Sequence, residues 1–453
     1  MGVCALVGAI AVVGVVEPRA EAVVPTPSST TSVVTVRTGG DRTEVQGVAP
    51  LAGVRLGLFT SATATAPVNE TWAICTSDAD GDCSFTVPNT GTGGANRSNR
   101  YYVKEIAAPA GWFSNAALRT GETSITTSQN TPYAFQTPAL LGGQTYSSQS
   151  VSGFMLASGN DTDAARSASG GIWQNSRTNP ALPAQCGLNV ALILDFSGSV
   201  AGEEANLKAA ADTFVDSLTG TPSRMSLFSF STLSPAIGGL NFPDLVPVST
   251  TQSAAAFKAR YAGWTAEGGT NWDQAFSRVD DANNAADNHF DVAVVITDGN
   301  PTYYGNPVQG PGNFTRIREV ENGIFSANAI KAAGTRVLAV GVGTGVSDAS
   351  TALNLQAISG GTKYDAAAGN VETADYFQEP SYEAAGSDSV TSCSPHAPRP
   401  CRWSSRSCPP TPRVRTRQVP CRQAPAGPSP RRRSPPSRAS TSRSPPQPTA
   451  PAP

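Results

Sequence analysis

Asp195-Phe196-Ser197-Gly198-Ser199 follows directly on the apolar run 188–194. A buried strand that stops at Asp-x-Ser-x-Ser puts one carboxylate and two hydroxyls on a tight turn. That turn lies at the carboxyl edge of a sheet, where open α/β folds bind ligands. Two later segments carry oxygens of the same kind. Gly268-Gly269-Thr270-Asn271 sets a hydroxyl on a glycine-permissive loop, and the β-branched run 292–297 ends in Asp298-Gly299. Oxygen donors with no His or Cys beside them suit Mg²⁺, with Mn²⁺ and Ca²⁺ as the related choices, rather than zinc. Two carboxylates leave a small dication with residual Lewis acidity, so an Asp or Glu from outside can complete its shell. The chemistry expected is a ligand-binding switch, not catalysis. The plainer reading of the turn is an N-cap for a helix beginning near Glu203, since Ser and Asp are good caps.

In order and spacing these segments resemble the von Willebrand factor A domain and its metal-ion-dependent adhesion site, over 186–382. The resemblance implies metal ligation by Asp195, Ser197 and Ser199 on a first loop, Thr270 on a second and Asp298 on a third. In integrin-like relatives, binding of the ligand carboxylate is coupled to a shift of the final helix. The elements that must position the loops are legible around them. Helical period runs over 204–218, 253–261, 272–286 and 317–333, and strands are expected at 225–230 and 336–342. The result is an α/β fold, a doubly wound and mostly parallel sheet with helices on both faces. Trp264, Tyr303 and Tyr304 lie on segments beside the metal loops and are candidates for a rim, with buried packing the plainer role for Trp264.

Ahead of this domain (186–385), residues 32–146 are rich in Thr, Val, Tyr and Phe between Gly, Asn and Ser turns, with strands expected at 54–59 and 101–105. The stretch from Tyr102-Val103-Lys104-Glu105 to Gly111-Trp112 resembles SpaA-like or Cna-B-like pilin domains, which have a prealbumin-like β-sandwich. In that family a Glu at the position of Glu105 promotes a Lys-to-Asn isopeptide crosslink. Here the strand 33–37 carries Arg37 where Lys is wanted, and a guanidinium stays protonated. No isopeptide is expected, and Glu105 reads as an exposed strand carboxylate. The substitute staple is a Cys75–Cys83 disulfide between hairpin strands at 72–74 and 84–87, adding about 2–3 kcal/mol by restricting the unfolded chain. Asp78, Asp80 and Asp82, inside that turn, read as solvated carboxylates, because the ladder is too short for an EF-hand loop and lacks its distal Glu. Residues 147–185 read either as a linker or as extra strands returning to the sandwich, with Met155 and Trp173 suggesting partial packing.

The charge of the 453-residue chain, formally −2, is unevenly spread. After Asp388 there is no acidic residue and there are twelve arginines; 32 Lys+Arg less 12 leaves 20 against 34 Asp+Glu, or −14 for the body. At the amino terminus, the apolar stretch 5–16 and Ala20-Glu21-Ala22 read as a signal peptide (1–22), although no Lys or Arg precedes the stretch, which fits a start further upstream. Export would make disulfides permissible, and Cys186 could then pair with Cys393. The tail, 387–453, is Pro/Arg/Ser-rich and without lysine, and is expected to be disordered because it cannot bury enough apolar area to offset chain entropy. Its charge could draw nucleic acid or anionic wall polymers, yet Trp403 alone makes no stacking platform. Arginine without lysine beside Pro, Ser and Ala is also what a GC-rich gene yields out of register. A shifted reading of 400–411 can encode VSVVKQVVPPD, so a frameshift that removed wall-anchoring sequence is the expectation.

Catalytic alternatives have little material. The two histidines are His289, read as a surface residue, and His396 in the tail, too few for a Ser-His-Asp triad or a His-ligated zinc site. Asp291 and Asp298 flank one strand without further sign of a glycosidase pair. Gly341-Val342-Gly343-Thr344-Gly345 lacks dinucleotide spacing and a P-loop lysine, and reads as a turn. The expectation is a non-enzymatic, secreted or cell-surface protein of bacterial wall type. Its A domain, carried on a β-sandwich stalk, binds a protein ligand's Asp or Glu through Mg²⁺. The alternative is a structural subunit of a pilus or wall assembly in which the metal only stabilises the domain. No nucleic-acid partner, membrane span or Leu-Pro-x-Thr-Gly signal is expected.

Overall fold

The strand Asn189–Asp195 is apolar from Val190 to Leu194 because both of its faces are covered. In the computed structural model it lies centrally in a six-stranded sheet. The order is Phe242–Pro247, Arg224–Phe230, Asn189–Asp195, Val292–Thr297, Arg336–Val342 and Tyr376–Glu379. Every neighbouring pair is parallel except the first, whose edge strand runs antiparallel. Alternate residues serve the two faces. Ala191 and Ile193 join a core with Phe276 and Ile324, from helices Trp272–Asn283 and Ile317–Ala332. Val190, Leu192 and Leu194 pack with Leu207 and Phe257, from helices Glu204–Ser217 and Thr251–Lys258. The doubly wound α/β architecture expected from the sequence is the one observed. Thr251–Lys258 begins earlier than its apolar period suggested because Thr250 and Ser253 form a capping box.

The structure describes residues 23–385 except 122–127, 150–152, 157–165, 184–186, 286–288, 344, 347–350 and 371. The expectations for the signal peptide 1–22, for Cys186 with Cys393 and for the tail 387–453 fall outside the described residues.

Before the α/β domain stands a β-sandwich. One sheet centres on the strand Ser32–Thr43, which pairs antiparallel with Asp82–Val87 and Gly47–Pro50 on one edge and parallel with Thr145–Ser147 and Ile172–Gln174 on the other. The second sheet runs Phe135–Gln136, Tyr102–Ala107, Arg55–Phe59, Ile74–Thr76. Cys75 and Cys83 are joined as expected, but not across a hairpin. Ile74–Thr76 pairs with Arg55–Phe59 while Asp82–Val87 pairs with Ser32–Thr43, so the disulfide ties the two sheets together. In the turn between them Asp78 Oδ1 accepts the amides of Asp80 and Asp82, and Asp82 pairs with Arg37.

Residues 172–177 return to the sandwich as strands, and Trp173 is fully buried, edge-on to Tyr133 and Phe135. This return corrects the reading of Glu105. Its carboxylate accepts the Trp173 indole N–H (2.9 Å), the Asn175 amide (2.7 Å) and the Ser114 hydroxyl (2.5 Å). Burial raises its pKa, with these three bonds opposing the shift.

The sandwich is not a free stalk. Ile317–Ala332 is buried nearly all round, including Glu319, Glu321, Asn328 and Lys331, because the sandwich covers the face that the sheet does not. Glu321 accepts from the Tyr133 hydroxyl (2.6 Å), the Ser169 hydroxyl (2.7 Å) and the Gly170 amide (2.7 Å). Asn328 donates to the carbonyls of Gly40 and Asn175. Asn354, on the short helix Leu353–Ile358, exchanges hydrogen bonds with the Arg119 main chain.

Lys331 gives this interface a pH signature. Its Nζ donates to the Arg177 carbonyl at 3.0 Å, and burial pushes its pKa down to about 7. The folded chain therefore holds fewer protons than the unfolded one from about pH 7 up to the usual lysine range. The cost of burying the ammonium is full below that window and fades as pH rises through it. Urea unfolding of wild type and Lys331→Met is expected to show the wild type gaining on the variant from about pH 6 to about pH 9. A pH-independent difference would contradict the burial of a charged amine.

Candidate metal centre

Parallel pairing of Asn189–Asp195 with Val292–Thr297, in the register Leu194 to Ile296, brings Asp195 and Asp298 to the same carboxyl edge. Asp195, fully buried, forms the floor. Its Oδ1 accepts the Ser197 amide (2.9 Å) and its Oδ2 the Thr297 hydroxyl (2.6 Å). Further out, the Ser197 and Ser199 hydroxyls are 3.1 Å apart, and Ser199 donates to Asp298 Oδ1 at 2.8 Å. Four of the five residues singled out in the sequence are thus joined in one chain of hydrogen bonds.

Thr270, buried, is brought to the same place through its loop. Gly198, inside the first turn, donates its amide to the Gly268 carbonyl at 2.7 Å. A Cβ on Gly198 would stand 3.0 Å from that oxygen, and Gly268 has φ +87°, so both positions call for glycine. The loop is fixed from two sides. Gly269 donates to the Thr232 hydroxyl (2.9 Å), and Thr270 exchanges bonds with Thr302 through its amide (3.1 Å) and carbonyl (2.8 Å). Asn271 then caps Trp272–Asn283 by accepting the Gln274 amide. The helix Glu204–Ser217 has Glu203 at its N-cap and no side-chain cap bond, so the Asp-x-Ser-x-Ser turn does not serve as its cap.

The electrostatics call for a cation. Burial and then the charge of Asp298 push Asp195 well above the usual carboxylate range, and burial pushes Asp298 up as well. Among the described residues no Lys or Arg is paired with either. Tyr382, just beyond the last strand, adds a second sign. Among the described residues its buried hydroxyl has no hydrogen-bond partner, and burial together with Asp298, Asp195 and Glu203 raises its pKa, so it remains a donor. Orphaned buried donors are rare and call for an acceptor. A hydrated divalent ion between the carboxylates would neutralise their repulsion and bring waters to accept from the phenol. The donors are all hard oxygens, and among the described residues no group of three His, Cys, Asp or Glu offers a competing metal cluster. The residues fit the ion.

Asp298, Ser199, Glu203 and Tyr382 line an open cleft of about 530 Å³ beside the carboxylates. A hollow of equal volume around Asn179, Arg336 and Asp375 lies at the start of Arg336–Val342, where Arg336 and Asp375 already pair at 2.7 Å. Asp291 stands at the start of Val292–Thr297 and accepts the Asn189 amide. That strand sets it about 20 Å from Asp298, too far for a glycosidase pair. His289 is exposed, as expected. Trp264 is buried against Phe196, Phe242 and Tyr261 and forms no rim. Thr297, Thr302 and Tyr382 were not read from the sequence. Thr297 adjoins Asp298 and could have been suspected; the others carry no local signal.

The doubly wound, mostly parallel sheet and its three oxygen-bearing turns are those expected from the sequence and its resemblance to the von Willebrand factor A domain. No protein-family model matches the sequence, and no curated protein does. Among solved structures the chain is similar to the pilus adhesin SpaC of Lactobacillus rhamnosus GG, at 15% identity and a TM-score of 0.36 over 48% of this chain and 32% of that one. It is similar to a von Willebrand factor type A protein from Catenulispora acidiphila, at 16% identity and TM-score 0.31 over 48% of this chain and 42% of that one. It is also similar to the von Willebrand factor domain of the type V pilus tip protein Mfa5 of Porphyromonas gingivalis, at 13% identity and TM-score 0.32 over 46% of this chain and 95% of that one. The chain spans about a third of SpaC's length.

Proposed function

We propose that this chain is a secreted or cell-surface adhesin that takes up an Asp or Glu carboxylate of a protein ligand at a Mg²⁺ centre built by Asp195, Ser197, Ser199, Thr270 and Asp298. The observation that carries the proposal is the pair of carboxylates at neighbouring strand ends, Asp195 buried and Asp298 half-buried, ringed by hydroxyls and, among the described residues, without a cationic partner. The bound ion supplies Lewis acidity for an incoming carboxylate. The chain's own groups divide the remaining work. Asp195, fixed by Ser197 and Thr297, sets the depth of the centre; Ser199 aligns Asp298; Tyr382 offers a proton to whatever oxygen enters from the cleft. The role read for these groups is binding, without turnover. The Cys75–Cys83 disulfide agrees with an oxidising compartment. Among the described residues no helix is long and apolar enough to cross a membrane.

A second reading, a structural subunit of a pilus or wall assembly, is favoured by one observation. The sandwich is bonded to the helix that follows Thr270, since Arg42 pairs with Asp273 at 2.6 Å, so a metal here could act as a rivet. Immobilised panels of acidic peptides and proteins separate the two. The adhesin reading expects binding in Mg²⁺ that EDTA abolishes and that Asp195→Ala abolishes while circular dichroism stays unchanged. Binding that survives both treatments would refute it.

A further inference from the structure

The loop 231–241, between Arg224–Phe230 and Phe242–Pro247, is packed inside out. Its small and polar residues are buried: Ser231 0%, Ser234 3% and Ala236 4% exposed. Its large apolar residues face solvent: Leu233 42%, Ile237 42% and Leu240 57%. Seven large hydrophobics are exposed among the described residues, and three of them fall within the eight positions 233–240, so the exposure is local rather than scattered. The loop is braced, not loose. Ser234 donates to the Ser229 carbonyl (2.8 Å), the Ser229 amide donates to Asn241 Oδ1 (2.9 Å), and the Ile237 amide donates to the Ser231 hydroxyl (3.2 Å). A braced backbone that holds three aliphatic side chains in water is spending stability on something other than its own folding.

Its position says on what. Arg224–Phe230 runs parallel to the Asp195 strand, so the loop leaves the sheet at the edge that carries the carboxylates. Thr232 holds the Thr270 loop through Gly269 and Asn271. Ile237 Cδ1 lies 3.5 Å from where a Cβ of Gly268 would stand, and Gly268 is bonded to Gly198 in the metal turn. Ile237 is therefore one loop away from the metal turn, and Leu233 and Leu240 are exposed on the same braced loop. The exposed Glu203, in the cleft with Asp298, and Glu267, next to Gly268, supply negative charge, which disfavours a ligand carrying several acids.

We infer that the ligand is a peptide segment of a partner protein in which a single Asp or Glu is flanked by large aliphatic residues. Its carboxylate goes to the metal and its aliphatic side chains to Leu233, Ile237 and Leu240. This rests on the proposed function and adds the class of sequence recognised. The test is fluorescence polarisation in Mg²⁺ with two labelled peptide sets, one Glu flanked by glycines and one Glu flanked by leucines at one to three residues' distance. Wild type is expected to bind the best leucine-flanked peptide roughly tenfold more tightly, the scale of one buried aliphatic side chain. In Leu233→Ser/Ile237→Ser/Leu240→Ser the preference should vanish while the weaker binding of the glycine-flanked peptide and its EDTA sensitivity persist. Leu240→Ser alone, at the most exposed position, should reduce the preference in a protein with unaltered unfolding. Equal, Mg²⁺-dependent affinity for both peptides overturns this inference and leaves the metal reading standing. Preference for leucine that ignores EDTA, or self-association that the triple variant abolishes without any peptide preference, also overturns it. Failure of every peptide to respond to Mg²⁺ removes the metal reading and this inference together.

Discussion

Arg42→Ala is expected to cost about 3–5 kcal/mol of stability, the largest single-residue effect outside the core. The two side chains of the Arg42–Asp273 pair are only 5% and 3% exposed. Arg42 Nη2 donates to Asp273 Oδ1 (2.6 Å) and Asn322 Oδ1 (2.7 Å), its Nε donates to Ser326 (3.2 Å), and its plane stands 5.8 Å over the Phe325 ring. Truncation leaves Asp273 charged, buried and unpaired, and its desolvation cost is then uncompensated. The net worth of the pair is smaller than this loss, because burying both charges was itself costly. Arg42→Met with Asp273→Leu should therefore recover much of it. The effect should also reach the metal centre. Asp273 lies one helical turn after Thr270, and its Oδ2 accepts the Gly305 amide at 2.8 Å, in the segment where Thr302 grips Thr270. Denaturant midpoints for the single and double variants check the first claim, and their Mg²⁺ response checks the second. A single-variant loss below about 1 kcal/mol would mean that water reaches Asp273 and the interface is looser than described.

This pair also shows where sequence reasoning ran out. The metal turns were legible because each is local: a β-branched run says buried strand, and the residues after it must lie at the sheet's carboxyl edge. Arg336–Val342 was read to its ends for the same reason. The interface was not legible. Glu321, Asn328 and Lys331 on Ile317–Ala332 have the spacing of a solvated helix face, and only the sandwich laid over that face makes them buried. Glu105 was misread in the same way, since Trp173 and Asn175, which bury it, come from a segment 68 and 70 residues later. The strands around the Cys75–Cys83 turn were recognised as strands, but partner choice is non-local, and each found a different sheet. Tyr382 could not have been singled out, because an orphaned hydroxyl is a property of its surroundings.

The second large effect concerns the metal itself. An ion that binds only the folded chain stabilises it by about 2.7 kcal/mol at a hundredfold excess over its dissociation constant. Asp195→Asn keeps an Oδ1 acceptor for the Ser197 amide, and the Thr297 hydroxyl can turn to accept from the new amide, so the fold should persist. It removes one of the two facing charges and one anionic ligand. Without metal the variant should be at least as stable as wild type, because the charge buried at position 195, which burial and Asp298 both disfavour, is gone.

Equilibrium unfolding of both proteins across a Mg²⁺ titration is the most direct measurement. The expected result is a saturable gain of about 2–3 kcal/mol for wild type and none for Asp195→Asn. Equal gains in the two proteins, or no gain in wild type at millimolar Mg²⁺, would contradict a metal centre built on Asp195 and Asp298.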